Sequence, residues 1–357
     1  MDSISYIQHV ILATMIVRHG VPIPSSSALR IIGSILFYLV FQTFSWGQSL
    51  INITPQSGEG VFELLRRNSV PIEYADEFIE LNNGKLGQND ALLAGFVYQI
   101  QSDWQKIEKE EWRSYPIFGE KYERTRIIDH SLQGAIFYLV SGHGGPDPGA
   151  VGKRDGHELC EDEYAYDVTI RLARWLIERD ALVYLIIRDK NDGIRDDAYL
   201  KCDRDEYAYT QGKVPRGHNE RLIQRTEIVN SLYAKNKGVK YQRMVAIHVD
   251  SRSQRENVDV FFYHHHLSSK GKELAYDLVK TFDAKYEEYQ PNRDYRGNAS
   301  DRSGLFVLKN TNPAAVFIEL GNIANDRDQR RFIVTDNRQA LAKWIGEGLQ
   351  KNFEKNK

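Results

Sequence analysis

From about residue 134 onward the chain alternates short apolar runs with longer segments whose apolar positions recur every three or four residues. The runs AIFYLV from Ala135, LVYLII from Leu182, MVAIHV from Met244, VDVFFY from Val258, LFVL from Leu305 and AAVFIE from Ala314 read as strands. Segments 164–178, 220–234, 270–286 and 338–353 carry the helical period. Strands alternating with helices predict an α/β fold, a mostly parallel twisted sheet flanked by helices. In such a sheet, chemistry gathers at the strand ends.

The first part of the chain follows other patterns. Residues 31–44 (IIGSILFYLVFQTF) form an apolar run preceded by Arg18 and Arg30 and followed by Ser45, Trp46, Gly47 and Gln48. At about 14 residues the run is short of the ~20 that a spanning helix needs, so 1–47 reads as a signal peptide, with an uncleaved membrane anchor as the alternative. The leader ahead of Arg30 is long for a signal peptide, and a start at Met15 would shorten it. Either way, export to the periplasm or cell envelope is expected. Residues 48–58 read as a polar linker. Within 59–101, Val61, Phe62, Leu64 and Leu65, then Phe78, Ile79 and Leu81, have helical spacing, and 96–100 looks like a strand. This segment, GVFELLRRNSVPIEYADEFIELNNGKL through LLAGFVYQI, resembles a divergent LysM module. The resemblance implies a small βααβ fold that binds N-acetylglucosamine-containing glycans; a plain packing subdomain is the alternative. Residues 102–133, charged and interrupted by Trp104, Trp112 and Pro116, read as a connector or peripheral helix.

Charge and cysteine content narrow the possibilities. A formal net charge of -2 over 357 residues does not fit a general polyanion binder, so no nucleic-acid partner is implied. Two cysteines, Cys160 and Cys202, exclude both a disulfide-dense scaffold and a Cys-rich zinc finger. Whether the two pair is open, because pairing depends on a separation that sequence does not set.

Three residues with chemistry lie where strands end. His143 follows AIFYLV within SGHGGPDPGAVG, where glycines permit a sharp turn and close approach to a ligand. His248 closes MVAIHV. Glu319 closes AAVFIE, and an acid there is costly to desolvate unless it shares a cation or a proton. SGHGGPDPGAVG, a glutamate at a helix start, AIHVDS and VFIELGNIAN, in that order, resemble the zinc-dependent N-acetylmuramoyl-L-alanine amidases of amidase type 3, over the region 134–357. The resemblance implies an amidase-like sheet, Zn2+ held by His143, His248 and a glutamate, and Glu319 as catalytic acid/base.

The glutamate is less determined. The family register falls on Ala165, and the acids nearby include Glu161 and Glu163. Glu163 is preferred for its smaller register change; Glu161 is the alternative because it shares the helical face of Ala165. His264, His265 and His266 are consecutive on a strand, point to alternate faces and read as a solvated strand end or substrate rim. Arg188 and Arg225 read as salt-bridge residues, with substrate-carboxylate binding as the alternative.

The implied reaction is hydrolysis of the amide between N-acetylmuramic acid and L-alanine in peptidoglycan, by zinc-activated water with Glu319 moving the proton. The residues alone reach only zinc-dependent amide hydrolysis. Two other classes stay open: a peptidoglycan-binding protein without activity, and another zinc hydrolase such as a peptidase or deacetylase. The need for a protein activator, and whether a helix within 196–209 covers the cleft, are also open.

Overall fold

The computed structural model describes residues 49–105, 111–253 and 256–357. The leader, 1–47, lies outside the described residues. The chain divides into two units, Met1–Lys109 and Glu110–Lys357.

In the first unit, β1 (Leu50–Ile53), α1 (Val61–Arg67), α2 (Ala75–Leu81) and β2 (Tyr98–Gln101) follow in βααβ order. β1 and β2 pair antiparallel, with Leu50 opposite Gln101. Ile53, Leu64, Leu65, Phe78, Tyr98 and Ile100 close a small core. Buried Asn82 ties α2 to β2: its amide donates to the Phe78 and Gln99 carbonyls and its oxygen accepts from the Gln99 N–H. β1 falls in the stretch read as a linker, since the four residues LINI are too few to display a period. The second strand begins at Tyr98, with Phe96 and Val97 exposed ahead of it.

The second unit opens with a hairpin, β3 (Glu111–Ser114) and β4 (Arg124–Ile127), where a connector or helix was expected. The reason is visible in β4, where Thr125 and Ile127 are buried and Arg124 and Arg126 exposed, a period of two. Next come β5 (Ala135–Ser141), β6 (Val151–Arg154), β7 (His157–Cys160), α3 (Glu161–Ile177), β8 (Leu182–Leu185), β9 (Ile187–Arg188), β10 (Tyr207–Ala208) and β11 (Gly212–Lys213). The remainder is α4 (His218–Lys235), β12 (Tyr241–Asp250), β13 (Phe261–His264), α5 (Ser269–Tyr289), β14 (Ala299–Asp301), α6 (Phe306–Asn310), β15 (Ala314–Asn322), α7 (Asp326–Ile333) and α8 (Thr335–Lys355).

The main sheet has the order β14-β13-β15-β12-β5-β8. β15, β12, β5 and β8 run parallel, and β13 is antiparallel to β15, so the sheet is mixed with a parallel centre. Alternation along the central strands splits their side chains between two layers. Phe137, Leu139, Val245, Ile247, Val316 and Ile318 belong to the core shared with α3, α5 and α8. Ile136, Tyr138, Met244, Ala246, Ala315 and Phe317 join Val229 of α4 and Leu308 of α6 on the opposite face. An α/β fold with a helix-flanked sheet is therefore present as the pattern predicted.

One local expectation is corrected. LFVL is not a strand: Phe306–Asn310 is helix α6, with Val307 and Leu308 both buried. A four-residue apolar run serves a short helix as well as a strand, and only its packing decides. No helix forms within 196–209; that stretch is irregular up to β10. It is tied back by a disulfide between Cys160 and Cys202, whose Cα atoms lie 5.8 Å apart. Among the described residues no helix is long and apolar enough to cross a membrane.

Candidate metal centre

The parallel strands all finish at one end of the sheet, which brings residues near their C-terminal ends together. β5 ends at Ser141, and the chain turns at Gly142 and His143. A Cβ on Gly142 would sit 2.4 Å from the His248 ring, so only glycine admits that ring. His143 adopts a positive φ of 60°, a conformation that non-glycine residues rarely take and that aims its ring off the strand. β12 and β15 pair in parallel with His248 opposite Glu319, which puts these two residues side by side.

The carboxylate that meets both imidazoles is Glu161, the first residue of α3. Its Oε1 lies 3.2 Å from His143 Nε2 and 3.0 Å from His248 Nδ1. The same oxygen accepts the Val249 N–H, and Oε2 accepts the Ala150 N–H. Gly149 makes room for this arrangement: a Cβ there would fall 2.6 Å from Glu161 Oε2. Glu163, the preferred candidate from sequence, is placed elsewhere. It receives Arg195 Nη1 at 2.8 Å and the Asp203 N–H at 2.9 Å. Two residues along a helix rotate a side chain by about 200°, so 161 and 163 cannot face one site. The helix begins early enough for Glu161 to share the face of Ala165, which is why the alternative is the one brought to the histidines.

Further groups hold this trio. Asp147 Oδ2 lies 2.9 Å from His143 Nδ1 and is gripped by Arg221 Nη2 at 2.6 Å. Arg225 donates to the His143 carbonyl. Burial alone would depress the His143 pKa, but hydrogen bonds to Asp147 and Glu161 outweigh it and push the imidazole up to about 10. Burial likewise opposes ionisation of Glu161, and the two imidazoles overcome it, holding the carboxyl well below its usual range. His248 is shifted down by burial and stacks on Phe317 with ring centroids 4.2 Å apart.

Glu319 completes the wall of a cavity of about 570 Å³ that also includes His143, Glu161, Arg221, Arg225 and His248. Its Oε2 is buried without a hydrogen-bond partner among the described residues. Burial, followed by the nearby Glu161 and Asp250 charges, raises its pKa well above the ordinary carboxylate value. One nitrogen from each histidine and one Glu161 oxygen lie within 4.8 Å of one another. Two imidazoles and one carboxylate are a donor set suited to zinc, and three protein ligands leave room for a reacting group. The residues therefore fit a catalytic zinc site, with an unpaired carboxylate beside it.

Residues 138–351 match the amidase type 3 family model, N-acetylmuramoyl-L-alanine amidase. The chain belongs to this family. The germination-specific N-acetylmuramoyl-L-alanine amidase of Bacillus subtilis is 26% identical over 226 residues, 62% of this chain and 81% of that protein. A solved structure of the CwlD amidase from Clostridioides difficile in complex with the GerS lipoprotein is 22% identical, with a TM-score of 0.47, covering 62% of this chain and 98% of that one. The amidase AmiC2 of Nostoc punctiforme gives 19% identity and a TM-score of 0.44, covering 62% and 98%.

Other residues of this amidase fall into place around the cavity or away from it. Arg225 backs His143 and lines the cavity, and its side chain bonds to carbonyls where a salt bridge was expected. Arg188 lies over the Tyr209 ring at 4.0 Å and donates to the Leu185 carbonyl. Of the three consecutive histidines, His264 is buried on β13, where a solvated strand end was expected, because the strand is still paired with β14 there, His264 opposite Asp301. His266 is exposed and bonded to Ser303. Among the described residues none of the three joins a metal-holding group. Asp147 was passed over in the sequence although PDPG announces it; its spacing of four from His143 inside a turn is the signal that could have found it.

Proposed function

We propose that this amidase hydrolyses the amide bond between N-acetylmuramic acid and L-alanine in peptidoglycan, with His143, Glu161 and His248 as zinc ligands and Glu319 as general acid/base. The observation that carries the reading is Glu319: a buried, unpartnered carboxylate, in register beside His248, on the cavity that holds the other three. A zinc ion held by the trio would supply Lewis acidity toward the amide carbonyl and would lower the pKa of water. Glu319 accepts a proton from the attacking water and returns it to the departing nitrogen, so the C–N bond breaks to give a lactyl carboxylate and the amino terminus of the stem peptide. Asp147 and Arg221 keep the His143 ring turned toward Glu161, and Arg225 anchors the backbone beneath it.

The same reading covers the rest of the chain. The βααβ order of the first unit supports a LysM-like glycan-binding role for 59–101, and the cell-wall substrate agrees with an exported protein in the cell envelope. A protein partner is known for the CwlD relative by its complex with GerS. For this chain we propose a protein partner as well.

The test uses zinc-loaded full-length protein on purified peptidoglycan, with mass spectrometry of the released fragments. Stem peptides beginning with L-alanine are expected; cleavage within the stem peptide, or release of acetate, would replace the amidase reading with a peptidase or deacetylase. Glu319→Gln should keep its zinc and lose roughly 10²–10⁴-fold in rate. Full activity of that variant removes Glu319 from the mechanism.

A further inference from the structure

Beside the turn that carries His143, Asp162 and Glu163 meet Glu206. The three are 2%, 2% and 6% exposed, and one carboxylate oxygen from each lies within 4.8 Å of the others. Asp162 Oδ1 accepts the Glu163 N–H, whereas Asp162 Oδ2 is sealed from solvent and has no hydrogen-bond partner among the described residues. Glu206 Oε2 accepts the Gly145 N–H, and Glu163 takes the Asp203 N–H and Arg195. Arg195 is shared with Asp192, and among the described residues no ion pair reaches Asp162 or Glu206.

Burying three carboxylates with one shared guanidinium in direct contact is costly, and an orphaned oxygen inside the group adds to the cost. A cation offsets both. The donors are all oxygens, with no imidazole or thiolate among them, which favours a hard ion over zinc. The site is also built in advance. Its two sides, the start of α3 and the segment ending at Glu206, are joined by the disulfide between Cys160 and Cys202, adjacent in sequence to Glu161 and Asp203.

We propose that Asp162, Glu163 and Glu206 form a second metal site, separate from the histidine site, which takes a divalent cation of the calcium class. The bound cation joins the 203–206 segment to α3 and, through Glu206 and the Gly145 N–H, steadies the turn that follows His143.

The experiment is equilibrium dialysis of the zinc-loaded full chain against calcium chloride, with zinc content and thermal midpoint read on the same samples. One calcium per chain is expected, with a Kd of roughly 10⁻⁴ M, as for extracellular calcium modules. At a hundredfold excess over Kd, Tm should rise by roughly 5 °C or more. Asp162→Asn and Glu206→Gln, both nearly isosteric, should each weaken calcium binding by at least about tenfold while zinc content stays unchanged. Since the readout is calcium and not hydrolysis, failure here leaves the amidase reading untouched. Absence of calcium binding overturns the proposal. So does binding that survives in both variants, which would put the cation elsewhere, for example at Asp189, Asp203 and Asp205.

Discussion

Glu161 and Glu163 stand two residues apart on one helix, 4% and 2% exposed, and serve opposite surroundings. Glu161 faces two imidazoles at the end of the sheet and is held ionised by them. Glu163 faces Arg195 and the 203–206 segment. Equal burial and equal chemistry therefore say nothing about role; the neighbour supplied by the rest of the fold does. The difference also shows how one helix start supports two tasks, because its turn divides the acidic run between two faces.

Substitution at the two positions should separate them sharply. Glu161→Ala removes the proposed ligand shared by both histidines, so zinc is lost and hydrolysis falls by roughly 10³-fold or more, read by metal analysis and peptide release. Glu163→Gln should retain zinc yet lose about 3 kcal/mol of stability in denaturant unfolding, because the Arg195 guanidinium loses a buried partner. The contrast breaks if the second variant is the one that loses zinc.

A smaller effect sharpens the histidine side. Asp147→Asn leaves a hydrogen-bond partner for His143 but weakens its hold on Arg221, and zinc affinity should drop by about 10–100-fold in a chelator competition. Unchanged affinity would mean that Asp147 only shapes the turn.

The smallest expected effect lies on the acidic side. Burial leads the causes that raise the Glu206 pKa from 4.5 to about 7. Between those values the unfolded chain has already released the proton that the folded chain keeps, so stability falls as pH rises through the interval and stays lower above it. In calcium-free buffer Glu206→Gln should flatten that part of the pH profile of Tm. An unaltered profile would assign the pH response to other groups.

Much of the site was legible because it sits on strands with strong apolar signatures. AIFYLV, MVAIHV and AAVFIE each lie on a central strand and run toward its C-terminal end, and parallel pairing brings those ends together, so His143, His248 and Glu319 could be picked out without coordinates. The third carboxylate could not. Its identity depends on where α3 begins, and a helix start within an acidic run carries no apolar period to locate it. LFVL and LINI failed for a related reason, being too short for their period to speak.

By itself, then, the amino-acid order determined the α/β class, the strand-end histidines and the strand-end acid, since these follow from local periodicity and from the cost of burying charge. Only the tertiary structure decided that Glu161 and not Glu163 meets the imidazoles, that Cys160 pairs with Cys202, and that Asp162 and Glu206, 44 positions apart in the sequence, share one buried site. Each of these is a contact between segments distant along the chain. Helix phase and loop path set such contacts, and no local pattern encodes them.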